Sequence, residues 1–308
     1  MPLFPYERAV KLKVAKLSDA RTFIIGSSRA AQFSTQNFIA SSHEVTNGIH
    51  NLCVSGATFE DYVVMTGALL QKDIDNIIYV IDPWVFKKDM DDRWKYYRRQ
   101  YYCYEKRMGI DKKLNCRVDK SHQRKAVLNK GSINTIFNLL IDDYKILVNA
   151  KKFLKPVKNL KKPILILGKE RSTVLRDGSL IYPDSYIKHI KKKPLGNGSY
   201  KIQGKPFEES VVNGFSQMIK EVQKKGVNIY FILSPYNPAV FQQENSKIYS
   251  HINKVEKKII ELAELNHIKY FGSYNPNNIT KEIEKDDFTD DFHPTRNILN
   301  KMKLILND

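Results

Sequence analysis

Cysteine is nearly absent: Cys53, Cys103 and Cys116 are the only three in 308 residues. Their spacing matches neither a Cys-x-x-Cys redox pair nor a zinc pattern. Cys103 and Cys116 can pair in an oxidising compartment, but free thiols are the expected state. Cys53 lies in an apolar run that reads as core. His43, His50, His122, His189, His251 and His267 show no ligand spacing, so no metal is expected. A P-loop and a dinucleotide fingerprint are both missing, and no cofactor is expected. No run approaches the roughly 18 apolar residues of a membrane span. Met1 does not open a signal peptide. Taken literally, that describes a soluble, cytoplasmic chain. The start Met1-Pro2-Leu3-Phe4-Pro5 reads equally as a trimmed juxtamembrane segment.

Acidic residues are also scarce, 33 against 51 Lys and Arg, leaving a net charge of +18. Such a balance suits polyanions: acidic polysaccharide, teichoic acid, lipid head groups or nucleic acid. A Lys-rich, well-solvated surface gives the same count. Hydrophobic residues at 42% and charged residues at 27% are ordinary globular values and exclude disorder.

Short apolar runs alternate with helical patterns. Thr22–Gly26, His50–Val54, Ile77–Ile81, Val227–Leu233 and Ile268–Phe271 read as buried parallel strands. Helices are expected over Ala30–Ile39, Phe59–Leu70, Glu208–Lys225 and Asn245–Leu265, and from Pro294 to Leu306. Residues 84–206 break the alternation and read as a large, mostly helical insertion, with a strand at Pro163–Leu167 and an amphipathic helix over Ile133–Phe153. The expected fold is a single α/β domain over 1–308: a doubly wound, flavodoxin-like parallel sheet of about five strands with helices on both faces. In such folds ligands bind outside the carboxyl ends of the strands. That rule selects Gly26-Ser27-Ser28-Arg29, Ser55-Gly56, Asp82-Pro83-Trp84 and Ser234-Pro235-Tyr236.

Ser28 follows a strand through a tight turn and is expected to open a helix, where backbone amides and the dipole favour developing negative charge. A helix-capping serine occupies the same kind of position. Asp290 and His293 stand three apart, so on a helical turn they share a face, and the carboxylate can hold the imidazole tautomer. Gly56, after the second strand, can present its amide to an oxyanion with no side chain in the way.

In this order, the Gly-x-Ser turn, the Ser-Gly turn and the Asp-x-x-His before the last helix resemble the SGNH/GDSL hydrolase family. The resemblance implies Ser28 as nucleophile, Gly56 in the oxyanion hole, and Asp290 and His293 completing a triad. Two blocks depart from the family pattern: Gly26-Ser27-Ser28 replaces Gly-Asp-Ser, and Asp82-Pro83-Trp84 replaces Gly-x-Asn-Asp, so the oxyanion-hole asparagine has no match. Gly-Ser-Ser-Arg with an Asp-Pro strand end looks more like the branch holding alginate O-acetylation proteins and the D-alanine transfer protein of teichoic acid synthesis. That likeness implies an acylated or acyl-accepting glycan substrate and a cell-envelope location behind an anchor, with Met1–Lys16 as the linker.

Arg29 can bind a substrate carboxylate or phosphate, stabilise an oxyanion, or pair with Asp82. Asp82 can orient Arg29 or a substrate hydroxyl. Trp84, Tyr236 and Asn237 can meet a sugar, and Trp84 can equally be core beneath the insertion. The stretch Tyr96-Tyr97-Arg98-Arg99-Gln100-Tyr101-Tyr102 is either a stacking surface or a buried helix face with basic edges. Three functions follow in order: acyl-ester hydrolysis or transfer, an inactive fold binding an anionic polysaccharide, and nucleic-acid binding.

Overall fold

The computed structural model describes residues 6–34, 39–40, 48–88, 90–111, 133–154, 163–167, 172–191, 202, 204–241, 247–302 and 305–306. The five expected strands form one sheet: β1 (Thr22–Gly26), β2 (Ile49–Asn51), β3 (Asn76–Ile81), β4 (Asn228–Leu233) and β5 (Lys269–Gly272). Their order is β2-β1-β3-β4-β5, and every pairing is parallel. This is the flavodoxin-like order, whose switch point lies between the ends of β1 and β3.

The pleat sends alternate side chains to opposite faces. Phe23, Ile25, Ile77, Tyr79, Ile81, Phe231 and Leu233 join one apolar cluster. Ile24, Ile78, Val80, Tyr230 and Ile232 join a second. Both faces are dry, which is why the strands read as continuous apolar runs. The larger cluster is filled from α1 (Glu7–Leu17), α2 (Phe59–Leu69), α3 (Arg98–Arg107), α4 (Ile133–Leu154), α5 (Glu209–Lys224) and α6 (Lys247–Leu265). α5 shows the logic: Val211, Val212, Phe215, Met218, Ile219 and Val222 recur at helical spacing and are all buried. The second face has a thinner cover, from Phe33 after β1, Ile283 and Phe288 in the loop after β5, and Ile298 of the short helix Arg296–Lys301. The architecture is a three-layer α/β/α sandwich with one thick and one thin layer.

Among the described residues of the expected helix Ala30–Ile39, no α-helix forms. A single 3-10 turn spans Ser28–Ala30, and Ile39–Ala40 pairs in parallel with Ile305–Leu306. The Asn51 side-chain amide donates to the Ala30 and Phe33 carbonyls at 2.8 and 2.9 Å, capping acceptors that a helix would have used internally. The C-terminal helix stops at Lys301, short of the expected Leu306. The presumed linker is no linker over Glu7–Leu17. It is helix α1, with Val10, Lys11, Val14 and Ala15 buried.

Among the described residues the insertion is mostly helical, as expected. Beside α3, α4 and the helix Asp184–Lys191, it carries a three-stranded antiparallel sheet of Pro163–Leu167, Ser172–Leu175 and Leu180–Ile181. Its ends meet where the Glu208 amide donates to the Phe86 carbonyl at 2.8 Å. The hairpin docks against the sheet edge. The Asn51 amide donates to the Asp177 carbonyl at 2.6 Å, and the Leu180 amide to the Ala31 carbonyl at 2.7 Å.

Candidate active site

Ser28 stands just beyond the carboxyl end of β1. Gly26 permits the turn: a Cβ there would lie 2.9 Å from the Val80 carbonyl oxygen and 3.2 Å from Ala30 Cβ. Ser27 then closes the corner, its hydroxyl accepting from the Arg29 amide at 3.2 Å. Because only one 3-10 turn follows, the dipole of a full helix does not act on Ser28.

The Ser28 hydroxyl lies 2.8 Å from His293 Nε2, across 265 residues of sequence. His293 Nδ1 lies 2.7 Å from Asp290 Oδ2. The three-residue spacing suited a helical turn, but Asp290 and His293 sit instead in a loop folded by the aspartate itself. Asp290 Oδ1 accepts from the amides of Phe292 and His293 at 3.0 and 2.8 Å. The loop is pinched by an antiparallel bridge between Phe288 and Pro294. Burial disfavours the charged form of Asp290, but the hydrogen bond and charge of His293, with the two amides, outweigh it. The carboxyl is held below its ordinary range. It therefore stays anionic beside the imidazole and fixes the tautomer that leaves Nε2 facing Ser28.

Gly56 lies on the neighbouring strand end. The Leu52 amide donates to the Ile24 carbonyl at 2.8 Å and the Val54 amide to the Gly26 carbonyl at 3.0 Å, so the chain beyond β2 still runs beside β1. The Ser55-Gly56 turn thus sits beside Ser27-Ser28. Gly56 has φ +57°, the left-handed region that favours glycine.

Arg29, Asp82, Trp84 and Tyr236, read as candidate substrate-binding residues, are instead buried behind the triad. Arg29 is 1% exposed. It pairs with Asp82 at 3.2 Å, donates from Nε to the Phe292 carbonyl at 3.0 Å, and reaches the Ser234 and Pro235 carbonyls. Its guanidinium lies 4.3 Å from the Tyr236 ring centroid. A cation spent this way binds no substrate anion. Burial pushes the Asp82 carboxyl above its ordinary range despite the adjacent Arg29. Trp84 Nε1 donates to the Ala57 carbonyl at 2.9 Å, which makes it core. Asn237 donates from its side chain to the Asp290 carbonyl at 3.2 Å and from its amide to the Asp291 carbonyl at 2.9 Å, so it holds the loop and not a sugar.

The Tyr-rich stretch is mainly the buried helix face. Trp94, Tyr97, Tyr101 and Tyr104 are buried, while Tyr96 is 59% exposed. Cys103 is disulfide-bonded, against the expectation of free thiols, and Cys53 is a buried thiol. Cys116, His43 and His122 lie outside the described residues. Among the described residues no cluster of His, Cys, Asp and Glu could hold a metal ion, and no helix is long and apolar enough to cross a membrane.

Sequence reasoning missed Glu7, Arg8 and Asp61, which surround the Ser55-Gly56 turn, and Lys11, which donates to the Asn51 and Gly178 carbonyls. Glu7, Arg8 and Lys11 are three of five charges in Glu7–Leu17, and only their burial in the fold separates them from Lys13 and Lys16. No protein-family model and no curated protein matches the chain, so the site has to be read from its own geometry.

Proposed function

We propose that this chain is a serine-dependent acyl-ester hydrolase or O-acyltransferase that works through an acyl-enzyme on Ser28. One observation carries the reading: a hydroxyl, an imidazole and a carboxylate from distant stretches meet at 2.8 and 2.7 Å at the rim of a parallel sheet. A helix-capping role for Ser28 needs no such alignment.

Ser28 Oγ attacks the acyl carbonyl carbon and His293 Nε2 takes its proton. Asp290 stabilises the resulting imidazolium. The Ser28 and Gly56 amides receive the oxyanion. Collapse expels the alcohol, which takes the proton from His293. Water or a sugar hydroxyl then gives a proton to His293 and attacks the acyl carbon; Ser28 Oγ leaves, taking that proton back from His293.

An O-acylated or acyl-accepting cell-envelope glycan is the proposed substrate class. The resemblance to the alginate and teichoic acid branch supports it, as does the charge of +18. A disulfide-bonded Cys103 suits an oxidising compartment. The rival reading, a non-catalytic glycan binder, draws on the third strand end, where Asp82 is committed to Arg29 and supplies no oxyanion donor.

Hydrolysis of a small acetyl ester decides between them. The wild type should turn it over and react with a fluorophosphonate at Ser28. A chain that does neither, while binding an anionic glycan in a salt-dependent manner, is the rival.

A further inference from the structure

The N-terminal helix reaches the oxyanion side of the site through charged side chains that the reaction itself does not use. Arg8 on α1 is 5% exposed. Its guanidinium is held as a fork by Asp61, with Nε to Oδ1 at 2.8 Å and a terminal nitrogen to Oδ2 at 3.0 Å. The same terminal nitrogen donates to the Ser55 carbonyl at 3.1 Å. Asp61 is fixed in turn by the Thr58 amide at 2.9 Å and by the Tyr97 hydroxyl. On the other side of Ser55, Glu7 accepts from the Ser55 amide at 3.1 Å and lies 3.4 Å from its hydroxyl. Lys11 donates to the Asn51 carbonyl at 2.5 Å, tying the end of β2 to the same helix.

The Ser55 carbonyl and the Gly56 amide belong to one peptide plane. No cis peptide occurs among the described residues. In a planar trans peptide the C=O and N–H point in opposite directions. Whatever anchors the carbonyl therefore aims the amide. At most residues a strand or helix supplies that anchor; here a buried guanidinium does. Gly56, with φ +57°, has no Cβ to limit rotation of the plane from its own side.

We infer that Arg8 is a positioning residue for the reaction: held by Asp61, it pins the Ser55 carbonyl and so directs the Gly56 amide toward the oxyanion, with Glu7 fixing the preceding peptide. The inference rests on the acyl-enzyme reading above. It makes α1 part of the active-site scaffold, and it gives Asp61, a helix-capping residue of α2, a second task in orienting Arg8.

The test compares full-length wild type with Arg8→Lys on an acetyl ester. Lysine keeps a charge for Asp61 but cannot hold the fork and the carbonyl together. A fall in kcat of about tenfold to a hundredfold, with KM within about twofold, is expected, since losing an oxyanion donor outright costs more. Inhibition by a small boronic acid, whose tetrahedral adduct on Ser28 places an oxygen in the hole, should weaken by the same factor. A purely structural role would lower the melting temperature and leave both ratios alone. If Arg8→Lys does not fold, the charge-neutral pair Arg8→Met with Asp61→Asn carries the same comparison. An active wild type whose folded variants keep kcat and boronate affinity overturns the inference and spares the esterase reading. A wild type inert toward both ester and fluorophosphonate removes the esterase reading and the inference with it.

Discussion

Ser28 and Arg29 are adjacent in sequence and opposite in circumstance. Ser28 sits at the rim, half-buried, against an imidazole whose side chain is 21% exposed. Arg29 turns inward and spends its guanidinium on Asp82, three backbone carbonyls and the face of Tyr236. One strand end thus supplies both a hydroxyl placed for chemistry and a buried strut. The two are linked: Arg29 holds the Phe292 carbonyl, one residue before His293. Gln32 adds a second tie from the same turn, donating to the Pro294 carbonyl at 2.8 Å. The serine turn therefore holds the histidine loop in place from behind. In this sheet the proposed reacting groups lie at the water boundary, while the charges packed behind them are dry.

Altering the rim should change chemistry and spare the fold. Ser28→Ala and His293→Ala should each lower ester hydrolysis by about 10⁴-fold or more, with stability within about 0.5–1 kcal/mol of wild type by denaturant titration. Activity surviving in both would remove Ser28 and His293 from the chemistry. Asp290→Asn should cost somewhat less, on the order of 10³–10⁴-fold in kcat, because the loop amides keep an acceptor while the imidazole loses its fixed tautomer.

Altering the strut should do the reverse. Arg29→Met leaves Asp82 buried without its partner and should cost about 3–5 kcal/mol of unfolding free energy. The double variant Arg29→Met with Asp82→Leu should recover much of that loss, since no charge is then stranded. Residual activity should track the folded fraction, with a further modest fall from the loosened His293 loop. Unchanged thermal unfolding in Arg29→Met would show that the pair is no strut.

The smallest expected effect concerns acid. Burial, with Lys11 and Lys72 nearby, lowers the pKa of His50 to about 4 from an ordinary 6.5. The folded value lies below the unfolded one. Between these pH values the unfolded chain binds a proton that the folded chain refuses. This contribution to stability is complete above about pH 6.5 and is lost as pH falls toward 4. His50→Phe should flatten the fall in melting temperature across that window. Asp290, held below the usual carboxylate range, stays anionic over most of it, so the triad keeps its acid partner while the core weakens.

Both the sheet and the triad were legible in the sequence, each for a local reason. Strands buried on two faces leave unbroken apolar runs, and Thr22–Gly26 emerged with its expected bounds. Ser28, Asp290 and His293 could be chosen because a strand-end serine and an Asp-x-x-His are short motifs at positions the fold rule privileges. Tertiary structure decided the rest. Whether Arg29 faced substrate or Asp82 depended on where the ends of β3 and β4 would lie, 53 and 205 residues away. Whether the chain coiled over Ala30–Ser34 depended on carbonyls claimed by Asn51 from the next strand. The linker reading of Met1–Lys16 came from resemblance alone; in the fold Glu7, Arg8 and Lys11 of α1 find partners among backbone and side-chain groups of the Asn51–Asp61 region. Apolar periodicity is written along the chain, where burial acts on each residue by itself. The pairing of a buried charge is a property of two distant segments, and only their meeting assigns it.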